Sequence, residues 1–140
     1  MFSVDIIGDA AKWLKQKNSE MQKTMEGKVK KATIKIERGT KANLKDHTSS
    51  GRAIRSYSSN FAGSGFNTTG QMGSNLNYIP SVEKGSRPHT PPIDALRRWA
   101  KQRGVPVGAI WHKIKTKGTD PHPHLEPAAR DVLTGFDWTI

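Results

Sequence analysis

Apolar side chains recur along residues 5–37 at Ile6, Ala10, Trp13 or Leu14, Met21, Met25, Val29, Ala32 and Ile36. Spacings of three, four and seven predict a long amphipathic helix. Ser3 or Asp5 caps its start in this reading, and Gly39 stops it. Gly8 and Gly27 each weaken it by about 1 kcal/mol against alanine, which leaves room for a break near Gly27. Lys12, Lys15, Lys23, Lys30 and Lys31 stand opposite the stripe. So long a helix with one narrow apolar stripe is expected to pack on a sheet or on a partner chain.

The pattern then changes. Residues 39–52 are a polar loop, and Ala53–Phe61 and Phe66–Ile79 are strand candidates around an Ala-Gly-Ser-Gly turn. Their Ser, Thr, Asn and Gly content and weak alternation predict a long, twisted hairpin with a mobile tip. Such a hairpin is too polar to stand without other strands or chains. Pro80, Gly85, Pro88, Pro91 and Pro92 break regular structure over 80–92. With Thr90 as cap, a helix from Pro92 to Arg103 puts Ile93, Leu96, Trp99 and Ala100 on one face and ends at Gly104. A short helix from Gly108 to Lys117 turns Ile110, Trp111 and Ile114 inward and stops at Gly118. Pro121-His122-Pro123-His124 is an extended link, Leu125–Leu133 a last helix, and Phe136, Trp138 and Ile140 an apolar tail. The expected organisation is one domain over 1–140: a helix (1–38), a loop and hairpin (39–80), then a Pro-rich loop, short helices and tail (81–140).

Composition sharpens this picture. Leu, Ile, Val and Phe total 26 of 140 residues against a net charge of +11, close to the disorder boundary. Four Trp and two long apolar-periodic segments argue against disorder. The expectation is a small, partly extended domain that borrows buried surface from its neighbours, with no self-sufficient enzyme core. The absence of Cys excludes disulfides, thiolate zinc sites and cysteine nucleophiles. No apolar run approaches the roughly 18 residues of a membrane helix. Met1 to Ala11 carries Asp5 and Asp9 and no cation, the reverse of a signal peptide, so synthesis and retention in a cytosol are expected.

Charge is segregated. Thirteen Lys and Arg in residues 12–55 face only Glu20, Glu26, Glu37 and Asp46. Residues 97–118 hold Arg97, Arg98, Lys101, Arg103, Lys113, Lys115 and Lys117 and no acid, while both ends of the chain are net acidic. Basic faces attract phosphate, which points to DNA or RNA. Alternatively, acidic ends meet the basic blocks of the next copy in a head-to-tail ring. A solvated, solubilising face explains a charge run as readily.

Candidate chemistry is thin. His122 and His124 share one side of an extended backbone, and His89 and His112 could join them as a hydrolase's metal ligands. Yet no third His or carboxylate pair stands at i, i+4 spacing, so ordinary hydrogen-bonded histidines are expected. Gly63-Ser-Gly65 and Gly70-Gln-Met-Gly73 lack the strand-to-helix context of a phosphate loop. The acids are scattered, and no Gly-x-Ser-x-Gly element follows a buried strand. We expect no catalytic residue, no metal and no cofactor. The Arg97-Arg98-x-x-Lys101-x-Arg103 run beside Trp99 suits non-specific phosphate contact, without a sequence-reading motif.

Two segments carry a resemblance. Tyr78-Ile-Pro-Ser-Val-Glu83-Lys-Gly85-Ser-Arg-Pro88 precedes Pro91-Pro92-x-x-Ala95-Leu96-x-x-Trp99-Ala100. Ile114-x-x-Lys117-Gly118-Thr119-x-Pro121-x-Pro123-x-Leu125-x-Pro127-Ala128 follows, and Ser50-Gly51-Arg52 lies upstream. This order resembles a family of small neck or tail-completion proteins of long-tailed bacteriophages. Their pattern is Thr-Gly-Arg before a hairpin, a tyrosine-containing strand ending in Val-Glu-x-Gly-Thr/Ser, a Pro-Pro-started helix, and Gly-Thr-x-Pro-x-Pro-Phe/Leu-x-Pro-Ala. The match runs in order along most of the chain and is dense from about 78 to 128. Lys84 departs from the usual aromatic, and Lys45-Asp-His-Thr-Ser from the usual lead into the hairpin.

The resemblance implies an α+β fold, with a long N-terminal helix and short C-terminal helices packed on a small antiparallel sheet. It implies a non-enzymatic virion protein, a ring of about six or twelve subunits at the head–tail junction. Head-connector and tail-tube proteins would be its neighbours, and viral DNA would pass through its lumen. Gly51, Arg52, Tyr78, Glu83, Gly85, Pro91, Pro92, Leu96, Trp99, Trp111, Gly118, Pro121, Pro123 and Pro127 are then structural or assembly positions. A basic, non-specific nucleic-acid-binding protein is the alternative expectation.

Overall fold

The helical period of the N-terminal third becomes one 43-residue helix, α1 (Phe2–Leu44), about 65 Å long at 1.5 Å per residue. The computed structural model describes residues 2–140, and side chains from residue 10 onward. The side chains of Ser3, Asp5 and Ile6 lie outside the described residues, and the helix already includes the first two as interior positions. It passes Gly27 without a break and does not stop at Gly39. The reason is tertiary. Thr40 and Leu44, at 0% and 1% exposure, are buried beyond Gly39, and their packing outweighs the roughly 1 kcal/mol propensity cost of a glycine.

A 3-10 turn (Lys45–His47) leads to α2 (Arg52–Ser56), where a continuous strand was expected from Ala53. Arg55 N–H bonds the Gly51 carbonyl at 3.0 Å, and this turn drives Ala53 into the core. The hairpin is correspondingly short: β1 (Tyr57–Ala62) pairs antiparallel with β2 (Thr69–Ser74), Tyr57 opposite Ser74 and Ala62 opposite Thr69. Its tip is not free. A 3-10 turn at Gly65–Asn67 buries Gly65 against Gln22 of α1, and Gly65 N–H bonds the Glu26 carboxylate at 3.2 Å.

Residues expected to be irregular or strand form α3 (Ile79–Lys84), with Pro80 in its first turn, where a missing N–H costs nothing. The tyrosine-containing strand implied by the resemblance is therefore a turn at Tyr78 followed by a helix here. The remaining helices are α4 (Ile93–Gln102), α5 (Val107–Lys117) and α6 (Leu125–Gly135), each within two residues of expectation. Pro92, not Thr90, occupies the cap position of α4, and no side chain caps it.

The architecture is α+β, mostly helical, with a two-stranded sheet and α6 both resting on the C-terminal half of α1. Leu44, Ala53, Tyr57 and Ile79 form the core, flanked by Ile54, Met72, Leu76 and Val82. Helices α4 and α5 pack mainly on each other. Two further glycines mark close approaches to α1. A Cβ on Gly39 would lie 3.1 Å from Ala128 of α6, and one on Gly70 would overlap the Thr33 hydroxyl. Gly70→Val is accordingly expected to lift the hairpin from α1 and cost about 2 kcal/mol in a urea titration.

Candidate functional site

The link Pro121–Pro123 leaves α6 without a Ser, Thr or Asp at its N-terminus, since His124 occupies the cap position and makes no side-chain cap. Of the four positions whose N–H groups lack an intrahelical partner at such an end, Pro127 has no N–H, and the other three need acceptors. Glu83 of α3 supplies them. Its carboxylate accepts from the backbone N–H of His124 (2.9 Å), Leu125 (3.1 Å) and Glu126 (3.0 Å). The same carboxylate lies 2.8 Å from Nδ1 of His124, which also meets the His122 carbonyl at 2.9 Å. Nε2 of His124 bonds the Tyr57 hydroxyl at 2.9 Å, and Asn43 of α1 donates to the His124 carbonyl at 3.0 Å.

Nδ1 faces only acceptors and so carries a hydrogen. In a neutral ring the Tyr57 hydroxyl then donates to Nε2, and in a protonated ring the direction reverses and the bond persists. Tyr57 and His124 are 2% and 1% exposed, so the knot that ties α1, β1, α3 and α6 together has a solvent-shielded centre, with Asn43 at its exposed rim. Burial alone would raise the Glu83 pKa, but the three backbone N–H groups and His124 hold it below the carboxylate's ordinary 4.5. Burial, then the Glu83 charge, push the Tyr57 phenol up to about 12 from an ordinary 10. Folding thus favours the protonated phenol. Its contribution is complete below pH 10 and fades towards pH 12, by about 2 to 3 kcal/mol. Urea midpoints at pH 9 and 11 should show about half of this loss, roughly 1.4 kcal/mol, in the wild type and a smaller one in Tyr57→Phe.

A second junction adjoins the knot. Ser86 and Thr119 form an isolated antiparallel bridge, exchanging N–H···O bonds of 3.1 and 3.2 Å, and His122 N–H bonds the Val82 carbonyl at 2.8 Å. Gly85 and Gly118 flank it with φ of +75° and +80°, and any Cβ there would strike the opposite backbone. The structure therefore gathers Glu83, Gly85, Gly118, Pro121 and Pro123 into one place, from segments more than thirty residues apart. Pro127 lies in the first turn of the capped α6. The Trp111 indole donates to the Pro91 carbonyl at 3.0 Å, anchoring α5 to the lead of α4. Leu96 and Trp99 are half-buried, Pro92 and Arg52 are exposed, and Tyr78 is 40% exposed. Gly51 takes φ +68° ahead of α2.

Tyr57, His124 and Asn43 are the members of the knot that sequence reasoning did not place. The readable signal was an uncapped helix start after Pro123, which demands a distant acceptor. His89 bonds the Arg87 carbonyl at 2.9 Å, His112 is exposed, and His122 stacks on His47 with centroids 4.4 Å apart. Burial and then His47 lower the His122 pKa below 6.5. Among the described residues, no three His, Asp or Glu side chains are grouped to hold a metal ion.

The seven cations of α4, α5 and their connection are all exposed. Arg97 pairs with Asp94 and Lys113 with Asp120, while Arg103 and Lys115 lie over the Trp99 and Trp111 rings, each 4.8 Å from the centroid. On α1, Lys28 holds the C-terminal segment through the Asp137 carbonyl at 2.8 Å, so one acidic end meets a basic block within the same chain. Comparisons of this chain with protein-family models, curated proteins and solved structures find no match.

Proposed function

We propose that this protein is a structural component of a tailed bacteriophage virion, one subunit of a ring at the head–tail junction. Neck, tail-completion and tail-terminator positions all fit. The observation that carries the reading is the convergence of the two motif segments. The residues that resemble the phage family are those that cap α6 with Glu83 and close the Ser86–Thr119 bridge between Gly85 and Gly118. A shared scaffold would keep such residues for this purpose. The polar two-stranded hairpin, both strands of which are edges, and the bare stretch of α1 over residues 10–21 also suit a subunit completed by neighbours. Its partners are further copies, head-connector and tail-tube proteins, and DNA in the lumen; assembly takes place in the host cytoplasm.

Absolute mass by light scattering after size exclusion, at low and high salt, tests this reading. A discrete species of about six or twelve subunits is expected. Absence of any oligomer, alone or with the neighbouring head and tail proteins, overturns it. Non-specific nucleic-acid binding is a second reading, supported by exposed Arg98, Lys101 and Lys117, which have no acidic partner among the described residues. It requires tight binding by the monomer, falling steeply with salt.

A further inference from the structure

We propose that the hairpin joins copies of this chain: the β1 edge of one copy pairs with the β2 edge of the next, giving one continuous antiparallel sheet. The proposal rests on the ring reading and names the contact that closes it. β1 and β2 are the whole of their sheet, so each strand has one side without a ladder. Along those sides every second residue turns its N–H and C=O away from its partner strand. Among the described residues, no group outside the sheet bonds the main chain of residues 58–62 or 69–74.

Edge strands are ordinarily shielded by charge, proline or a bulge. This hairpin has none of them. Its pairs run without interruption from Tyr57 opposite Ser74 to Ala62 opposite Thr69, and neither strand holds a proline. Residues 56–82 contain no Lys, Arg, Asp, Glu or His, in a chain one quarter of whose residues are charged. Support from within the chain is also one-sided. Tyr57 is buried and Ser59 donates to Glu37 of α1, yet Phe61, next on that face and opposite Gly70, is 40% exposed. A two-stranded hairpin is marginal in water, so its bare edges favour further strands.

Charge and strand direction name the occupant. A row of free N–H and C=O groups is completed by another extended chain. Nucleic acid does not fit, because no cation in the segment meets phosphate. The whole net charge of +11 lies outside residues 56–82, so copies repel wherever their basic faces meet and approach freely at the uncharged hairpin. Direction then selects a series over a two-fold pair. Copies joined β1 to β1, or β2 to β2, leave a bare edge on either side. Repeating the hairpin in one sense sets every β2 beside an oppositely directed β1, so a single antiparallel ladder uses both edges of each copy. Such a contact is heterologous, the kind that closes rings.

The chain has no cysteine, so single thiols in the full-length protein report the contact. Ser58→Cys, Asn60→Cys and Ala62→Cys mark β1, and Gln71→Cys marks β2. All four positions are exposed and share the face turned from α1, so folding should match the wild type by helicity and thermal midpoint. Across any antiparallel ladder a side chain meets only side chains of its own face, so the three β1 positions cover the neighbouring registers for Gln71. Each β1 variant is mixed with Gln71→Cys, left to exchange and oxidised. Disulfide-linked dimers should be at least tenfold more abundant in one of the mixtures than in any variant alone. No mixed crosslink while the wild type assembles by light scattering overturns the proposal and leaves the ring reading standing. Crosslinks as abundant within a single variant mean two-fold pairing and overturn it too. Mixed crosslinks in a species of open-ended size uphold the edge pairing and overturn the ring. A wild type that is monomeric at millimolar concentration overturns the proposal, and the ring reading is then judged by assembly with head and tail proteins.

Discussion

Replacement of Glu83 by alanine should cost about 3 kcal/mol in stability, read as a lower urea midpoint at unchanged slope. Three backbone N–H groups at the start of α6 lose their acceptor, and a buried imidazole loses its carboxylate. Removing one partner of such a set leaves the others desolvated and unpaired, which costs more than an exposed ion pair contributes. Glu83→Gln retains one acceptor oxygen and should recover part of the loss. Amide exchange at Leu125 and Glu126 should accelerate before the rest of the chain opens, because α6 frays first. The same group sets an acid limit. Its pKa is depressed in the fold, so its contribution is complete above the ordinary value of 4.5 and disappears as pH falls through the lower, folded value. An acid titration in which Glu83→Ala loses as much stability as the wild type between pH 5 and 3 would contradict this assignment.

Gly118→Ala should be comparably damaging, about 3 kcal/mol. Position 118 has φ +80° and ψ −158°, a region essentially confined to glycine that costs an L-residue roughly 1 to 3 kcal/mol. In addition, a methyl group there would overlap the Ser86 carbonyl oxygen, a backbone atom held in the bridge to Thr119. The bridge must open or α5 must shift. Gly104→Ala provides the comparison: φ is +64°, but nothing lies within 4 Å of the added methyl. It should lose only the conformational part, about 1 kcal/mol. Equal losses at the two positions would mean that the bridge is not a fixed contact.

Both predictions lie in segments whose importance the sequence displays but whose role it conceals. The Glu83-x-Gly85 and Gly118-x-x-Pro121 strings are visible as motifs, yet nothing local to Glu83 indicates that it caps a helix 41 residues away. His124 offers the same lesson from the other side. Beside His122 it resembles a ligand, and only the fold reveals a ring held between Tyr57 and Glu83. Tyr57 was hidden in a run of serines whose alternation is weak, because the core it enters is made by Leu44, Ala53 and Ile79 from three other elements.

Helix positions were legible where their causes are local. The apolar period of α1, α4, α5 and α6 is written in consecutive residues, and Gly104 and Gly118 end α4 and α5 through their own backbone freedom. The errors occurred where distant contacts override local preference. Gly39 is a weak helix residue, but α6 crosses at that position and buried Thr40 and Leu44 carry the helix onward. Residues 52–56 and 79–84 are short, and their preference for turn or strand is worth less than placing Ala53 and Ile79 in the core.

The long helix, the three short C-terminal helices, the segregated charge and the chain's poverty of core-forming side chains can all be read from the chain's order of residues. Each of these is set by residues within a few positions of one another. The end of α1, the shortness of the hairpin and the meeting of two motif segments around His124 emerge instead from contacts across the fold. Those outcomes depend on which desolvated groups find partners across the fold, and that pairing is absent from any local window of the chain.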